Sequence, residues 1–278
     1  MKITLLSLAL AACCGMLQAA DNLTAALNPI YRLDFETTTD STGASLKNTG
    51  TSSQITASNS DSDSYLNYGG GSYAGNGNYT YKNNANYIEI RPNGALSWAD
   101  SFTVSMAVKA VSLSSATWTN ILAIGDVDNH IRVQNTEASD HFGLYGNGTG
   151  NADALGNANH PENSTISTTD FTLITLVYDV KDDGGYFTLY SDGNIVCQSS
   201  NPFSTSASGP EKIAIGGNFS GNRYQPLLID EVAIYDAALS QNDIQNYLVG
   251  KPAGTIPEPS TATLGLLALA GLIGRRRR

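Results

Sequence analysis

Phe102-Thr-Val-Ser-Met-Ala-Val-Lys109 is the stretch on which the fold turns. Phe102, Val104, Met106 and Val108 fall on one face, and Thr103, Ser105 and Lys109 on the other. That period of two belongs to a strand with one face in a core. Working outward, Phe171-Thr-Leu-Ile-Thr-Leu-Val-Tyr178 is apolar on both faces, as a central strand packed on both sides must be. Tyr186–Tyr190 and Ile195–Cys197 flank Ser191-Asp192-Gly193-Asn194. Asp-Gly there predicts a hairpin, because a type I′ turn needs positive φ at both central residues. Further strand-like runs are Ile121–Ile124, His130–Val133, His141–Tyr145, Lys212–Ile215 and Leu228–Tyr235. One short helix is expected. Ser240 caps it with Asp243 at the third helical position, Ile244, Tyr247 and Leu248 share its apolar face, and Gly250 and Pro252 end it. Many strands, regular turns and one helix predict an all-β, two-sheet antiparallel sandwich.

Fifteen Lys and Arg against 25 Asp and Glu give a formal net charge of -10. Lys2 and Arg275 to Arg278 lie at the two ends, so the body between them is more acidic still. Such a surface repels phosphate backbones, and no nucleic acid partner is expected. Cys13 and Cys14 sit near the start, leaving Cys197 alone in the body, where it reads as a small buried hydrophobe without a disulfide partner.

Both ends read as addresses. Met1-Lys2 is a positive n-region, Ile3 to Ala12 an apolar h-region, and Leu17-Gln18-Ala19 supplies small-residue cleavage chemistry. Cleavage after Ala19 or Ala20, following passage through the Sec translocon, would start the mature chain near Asp21. Leu10-Ala11-Ala12-Cys13 also fits a lipobox with Cys13 lipidated, a rival route that exports the chain equally. At the other end stand Pro257, Glu258 and Pro259, then an apolar run from Thr261 to Gly274, then Arg275, Arg276, Arg277 and Arg278. About 14 apolar residues make a transmembrane helix of roughly 21 Å, short against a hydrocarbon core of about 30 Å. The arginines act as a stop-transfer cluster on the cytoplasmic side. In this order the residues resemble the PEP-CTERM sorting signal of Gram-negative bacteria. The resemblance implies an inner-membrane intermediate, cutting by an exosortase-type protease, and delivery to the cell surface or extracellular matrix.

The body carries a second resemblance. Tyr31-Arg-Leu-Asp-Phe-Glu36 with Asp40-Ser41-Thr42-Gly43 comes first, followed by Ser101–Val108, then Phe171–Asp179. Gly185–Val196 and Ile215-Gly216-Gly217 continue the series. Ile229-Asp230-Glu231 to Tyr235 and Ala238-Leu239-Ser240 close it. In order, these runs resemble the LamG-like jelly roll of the concanavalin A-like lectin/glucanase superfamily. Gln225-Pro226-Leu227-Leu228 departs from the glycine that family often carries before its closing strand. The organisation expected is a signal peptide at 1–20, a jelly-roll domain at 21–250, a linker at 251–256 and the sorting signal at 257–278. The resemblance implies a sandwich that usually binds glycans or proteins, often with calcium, and sometimes cleaves glycans.

Candidate chemistry is sparse. A retaining glycosidase needs two carboxylates about 5 Å apart, and the Glu-x-Asp-x-x-Glu pattern of laminarinase-type members is missing. Asp34 and Glu36 share a face without a third acid. Adjacent Asp230 and Glu231 point to opposite faces and are expected to order a turn or bridge to the closing helix. His130, His141 and His160 show no metal-ligand spacing, and His130 and His141 read as surface residues. Asp126, Asp128 and Asn129 offer hard oxygen donors on one loop, a set that suits calcium. Asp179, Asp182 and Asp183 form a second acidic cluster. Turn chemistry accounts for both groups equally well. Among aromatics, Trp118 and Tyr145 are the candidates for stacking on sugar rings, whereas Trp98 reads as core. The expected product is an exported, non-catalytic binding module for a glycan or a surface protein. A glycan-cleaving enzyme and a ligand-free matrix component are the alternatives.

Overall fold

The computed structural model describes residues 27–33, 49–59, 66–68, 79–81, 87–112, 119–135, 142–147, 165–203, 205–217, 219 and 223–249. In chain order the strands are β1 (Tyr31–Leu33), β2 (Thr56–Asn59), β3 (Leu66–Tyr68), β4 (Tyr79–Tyr81), β5 (Ile88–Arg91), β6 (Phe102–Ala110) and β7 (Asn120–Gly125). They continue as β8 (His130–Asn135), β9 (Phe142–Asn147), β10 (Thr172–Lys181), β11 (Gly184–Ser191), β12 (Asn194–Gln198), β13 (Lys212–Ile215) and β14 (Leu227–Tyr235). They form two six-stranded sheets, ordered β1-β14-β6-β10-β11-β12 and β2-β5-β13-β7-β8-β9, plus a separate β3-β4 pair. Every ladder between these strands is antiparallel.

The alternation read in Phe102–Lys109 fixes how the first sheet stands. Phe102, Val104, Met106 and Val108 enter the core between the sheets, where they meet Ile174, Leu176 and Tyr178 of β10. Facing them from the second sheet are Ile88, Ile90, Leu122, Ile124, Ile131, Val133, Ile213 and Ile215. Trp98 packs on this core as expected, 5.2 Å ring to ring from Tyr178 and 4.8 Å from Phe203. Tyr178 uses its hydroxyl to donate to the Trp98 carbonyl at 2.9 Å, so the buried ring keeps its polar end satisfied. Cys197 also lies in this core, where burial raises its thiol pKa to about 11. A thiol so held is inert at neutral pH.

The other face of the first sheet is covered as well. Leu173 and Val177 of β10 form a second apolar cluster with Tyr235, Leu239, Ile244 and Leu248, which is why Phe171–Tyr178 is apolar on both sides. The closing helix lies here as one α-helical turn, α1 (Gln241–Asp243), that widens into a π-helical turn over Ile244–Leu248. Ser240 and Asp243 make the capping box in full. The π turn ends where the Val249 N–H donates to Ile244 O at 3.0 Å. Thr103, on the outer side of β6, fastens the approach to the helix. Its hydroxyl donates to Ala237 O at 2.7 Å and accepts from the Leu239 N–H at 3.0 Å.

The predicted type I′ turn is present, with φ 45° at Asp192 and 75° at Gly193. The helix clasps it: Gln241 Nε2 and Gln245 Nε2 both donate to Gly193 O, at 3.1 Å and 2.9 Å. Glu231 takes a different part from the one expected. A bulge makes Asp230 the extra residue of β14, and Glu231 pairs with Arg32 of β1 at 2.7 Å, across a ladder. No helix among the described residues is long and apolar enough to cross a membrane. Ala19, Ala20, the Pro257–Pro259 motif, the apolar tail and Arg275–Arg278 lie outside the described residues.

Candidate functional site: the outer face of the second sheet

Because Ile88, Ile90, Leu122, Ile124, Ile131 and Val133 point inward, their strand neighbours point out. One row of these neighbours runs directly across all six strands: Ser58, Glu89, Ala214, Ala123, Arg132 and Tyr145. The two alanines leave the middle of the row low, and Tyr87, Phe219 and Tyr224 pack around them.

The two sides of this trough differ in charge. On one side Glu89 is fully engaged, with Arg91 Nε at 2.6 Å, Lys212 Nζ at 3.7 Å and the Tyr87 hydroxyl at 3.3 Å. On the other side stand Arg132 and, from the β13–β14 connection, Arg223, and neither has a carboxylate at salt-bridge distance among the described residues. Burial, and next the positive charge of Arg223, push the Arg132 pKa down. Tyr145, directly opposite Arg132 on β9, acts in the other direction.

Polar groups with no partner sit beside these arginines. Gln134, two positions after Arg132, faces the same side and stands directly opposite Asn120. A bulge between Asn120 and Leu122 makes Ile121 the extra residue, which sends Ile121 to the core and turns Asn120 outward. Asn120 is 0% exposed and Gln134 1%. Both side-chain atoms of Asn120, Oε1 of Gln134 and Nε of Arg132 have no hydrogen-bond partner among the described residues. Each unmet buried group costs about 1–3 kcal/mol, so this is the least satisfied polar cluster of the described fold. It is nonetheless firmly mounted. The Asn120 N–H donates to Arg223 O at 2.9 Å, and the Gln225 N–H to Gly216 O at 3.1 Å. Thr119 donates its hydroxyl to Gln225 Oε1 at 2.8 Å, and Gln225 Nε2 donates to Ser112 O at 2.9 Å. Gln225, the first residue of the stretch that departs from the family's pattern, therefore ties Ser112, Thr119 and Gly216 to the connection that carries Arg223. Arg223 itself has φ 63°, a left-handed conformation that a branched-out L side chain adopts at a cost.

The residues singled out from sequence fare unevenly. Tyr145 is on this face beside Arg132. Trp118, His141 and His160 lie outside the described residues. His130, expected at the surface, is 5% exposed. Its ring stacks edge-on against Phe219 at 5.4 Å, and Nδ1 lies 3.0 Å from Asp126 O, a pairing that places the proton on Nδ1. It is buried because it continues the outward row of β8, which Phe219 covers. Asp126 Oδ1 accepts from the backbone N–H groups of Asp128 at 2.8 Å and Asn129 at 2.6 Å. The Asp126 N–H closes the turn onto Asn129 O at 3.0 Å. Asp126 Oδ1 is thus committed to the hairpin, and no three His, Cys, Asp or Glu side chains gather among the described residues. As placed, they do not fit the roughly six to eight oxygens calcium takes. In the second acidic cluster, Asp183 accepts from the Tyr186 hydroxyl at 2.7 Å and Asp179 lies 3.9 Å from Lys181. Arg132, Arg223, Asn120 and Gln134 were not legible as a site. The one available signal was the polar alternation His130-x-Arg132-x-Gln134 in a strand whose other side is apolar.

Two antiparallel sheets face to face, with a short helix over one outer surface, define a jelly-roll sandwich. The chain belongs to the concanavalin A-like lectin/glucanases superfamily, whose family model matches residues 82–245. β1 and β2 precede that stretch, yet pair with β14 and β5. A PEP-CTERM protein-sorting motif matches residues 255–278 and marks an exported protein processed at the membrane by an exosortase. No curated protein matches the sequence. Among solved structures, domain 4 of AbnA, a GH43 extracellular arabinanase from Geobacillus stearothermophilus in complex with arabinotriose, is similar at TM-score 0.55 and 16% identity, covering 79% of this chain and 97% of that one. Trypanosoma rangeli sialidase is similar at TM-score 0.53 and 13% identity over 80% of this chain and 32% of its own. The binding domain of botulinum neurotoxin DC in complex with rat synaptotagmin II is similar at TM-score 0.51 and 9% identity, covering 79% and 50%. At these identities the likeness concerns the fold.

Proposed function

We propose that this protein is a surface-sorted binding module that recognises a glycan on the outer face of its second sheet and performs no chemistry on it. The observation that carries the reading is the outward cluster of Arg132, Arg223, Asn120 and Gln134 beside Tyr145. It combines unmet hydrogen-bonding capacity with aromatic surface, the two things a sugar ring uses. The arabinotriose bound to the similar domain 4 supports a sandwich of this shape holding an oligosaccharide. The distribution of acids supports binding without cleavage. On the described strands of this face Glu89 is the single carboxylate, and it is held by Arg91, Lys212 and Tyr87. In most glycosidase families hydrolysis of the glycosidic bond uses a pair of carboxylates.

The sorting motif supports delivery to the cell surface or matrix, after cleavage at the N-terminal signal near Ala19 or Ala20. Two measurements test the proposal. A glycan array probed with the full chain, with and without calcium, should give calcium-independent binding. Incubation with the bound glycans should release no reducing sugar, and steady release would refute the non-catalytic reading. Intact mass spectrometry of surface-extracted protein should show loss of both ends, and a mass that includes Arg278 would refute surface sorting.

A further inference from the structure

Resting on that reading of the second sheet, we propose that the ligand is an acidic saccharide whose carboxylate or sulfate is held between Arg132 and Arg223. The first ground is charge. The chain carries a formal net charge of -10, yet these two arginines face each other's field without a carboxylate at salt-bridge distance among the described residues. Arg132 is only part-exposed, and a guanidinium removed from water without a counter-charge is unfavourable. Across the trough, by contrast, Glu89 already has two basic partners. An arriving oxyanion relieves the arginine side and has no use for the other. Guanidinium forks match the geometry of carboxylate and sulfate oxygens, commonly with two parallel hydrogen bonds.

The second ground is independent of charge. Asn120 and Gln134, 0% and 1% exposed, hold both donor and acceptor atoms without partners among the described residues. A sugar hydroxyl is at once donor and acceptor, and serves such a mixed pair. An acidic peptide side chain offers acceptors only. Arg132 Nε is unmet as well. Extension of that side chain toward a bound anion gives Nε a partner and opens the way to Gln134, two positions along the same strand face. Tyr145, opposite Arg132, offers the ring face against which the sugar lies. The left-handed Arg223 is held by its carbonyl, which accepts from the Asn120 N–H, and lies two residues before Gln225, which Thr119 and Ser112 anchor. Strain that survives because its surroundings enforce it is a mark of pre-organisation.

The test is a binding titration of the full-length protein, kept in detergent, against four probes: a polyuronate, a sulfated dextran, neutral dextran and poly-glutamate. The variants are Arg132→Gln and Arg223→Asn, with Lys181→Gln on the first sheet as control. Arg223 is exposed and Asn tolerates its φ, so that variant folds even if loss of Arg132 disturbs the sheet. Binding of the polyuronate, the sulfated dextran or both is expected, and the preference between them identifies the oxyanion. Each arginine variant should weaken it by roughly tenfold or more. Raising salt from ~50 mM to ~200 mM should weaken it in wild type and control alike. Binding of neutral dextran, unchanged in both variants, would overturn the acidic ligand while leaving a glycan-binding module. Binding of poly-glutamate in preference to either polysaccharide would overturn the saccharide. No binding to any polysaccharide would remove both readings.

Discussion

Gly193→Ala should destabilise the protein well beyond what its backbone conformation alone dictates, and Gly94→Ala provides the comparison. Both glycines have positive φ, 75° and 85°. A methyl group at Gly94 would meet nothing within 4 Å, so that substitution isolates the left-handed backbone term, about 1–2 kcal/mol. At Gly193 the same methyl would lie 2.6 Å from Gln245 Cγ and 3.2 Å from Val249 Cγ2. Gln245 is flexible and can withdraw, but it then gives up its 2.9 Å hydrogen bond to Gly193 O. Val249, at the end of the π turn, has less freedom. Adding one or two lost hydrogen bonds at about 0.5–1.5 kcal/mol each brings the Gly193→Ala cost to roughly 2–4 kcal/mol. Urea unfolding of wild type and both variants measures the difference directly. Equal losses at the two sites would refute the claim that the closing helix is clasped onto the β11–β12 turn.

Three further outcomes follow from the same contacts. Thr103→Val, which keeps shape but removes the hydroxyl shared by Ala237 O and the Leu239 N–H, should cost about 1–3 kcal/mol, and Thr103→Ser should recover most of it in the same unfolding assay. Burial raises the Asp192 pKa, only partly offset by the Leu173 N–H bonded to its carboxylate. A raised carboxyl contributes stability below its unfolded pKa of about 3.9 that is lost as pH rises through the folded value. Asp192→Asn should therefore be at least as stable as wild type at pH 7, with the gap closing toward pH ~3; a lower melting temperature at pH 7 would count against the buried-carboxyl account. For His130, burial and then Arg132 lower the pKa. The stability it contributes is present above about pH 6.5 and lost as pH falls through its folded value. NMR titration should find its midpoint below 6.5, and a midpoint at or above 6.5 would contradict its placement.

How far the sequence could be read depended on length and on parity. β6, β10 and β14 are long enough for alternation or double-sided apolarity to be unambiguous, and Asp192-Gly193 names its own turn. β2 and β5, four residues each, escaped because Thr56–Asn59 carries only Ala57 as an apolar residue and Ile88–Arg91 offers only two alternations. Burial of His130 and the role of Asp126 depend on what packs on a strand's outward face. A period-two pattern says which residues share a face, and nothing about what covers it. The candidate site was hidden for a sharper reason. The bulge at Ile121 breaks the parity that would have sent Asn120 inward, so Asn120 meets Gln134 only once the register is known. Arg223 reaches the same face through a left-handed residue and a backbone bridge from a distant connection, neither of which leaves a periodic trace.

The asymmetry between the two outer faces gives the site its place. Leu173, Val177 and Tyr235 make the first sheet apolar on its outside as well, and Ile244 and Leu248 of the closing helix are required to cover it. The second sheet's outward row is mixed: Glu89, two alanines ringed by Tyr87, Phe219 and Tyr224, then Arg132 and Tyr145. Its polar groups on the Glu89 side satisfy one another, while those on the Arg132 side do not. Folding alone offers no reason to keep Asn120 and Gln134 buried and unmet, since apolar residues of the same shape there would be nearly neutral or stabilising. Their retention on a sheet face over which the described residues place no helix favours a ligand as the explanation. It also predicts that Asn120→Leu with Gln134→Leu will raise thermal stability while abolishing glycan binding. Loss of stability in that double variant, with binding intact, would show the cluster to be structural.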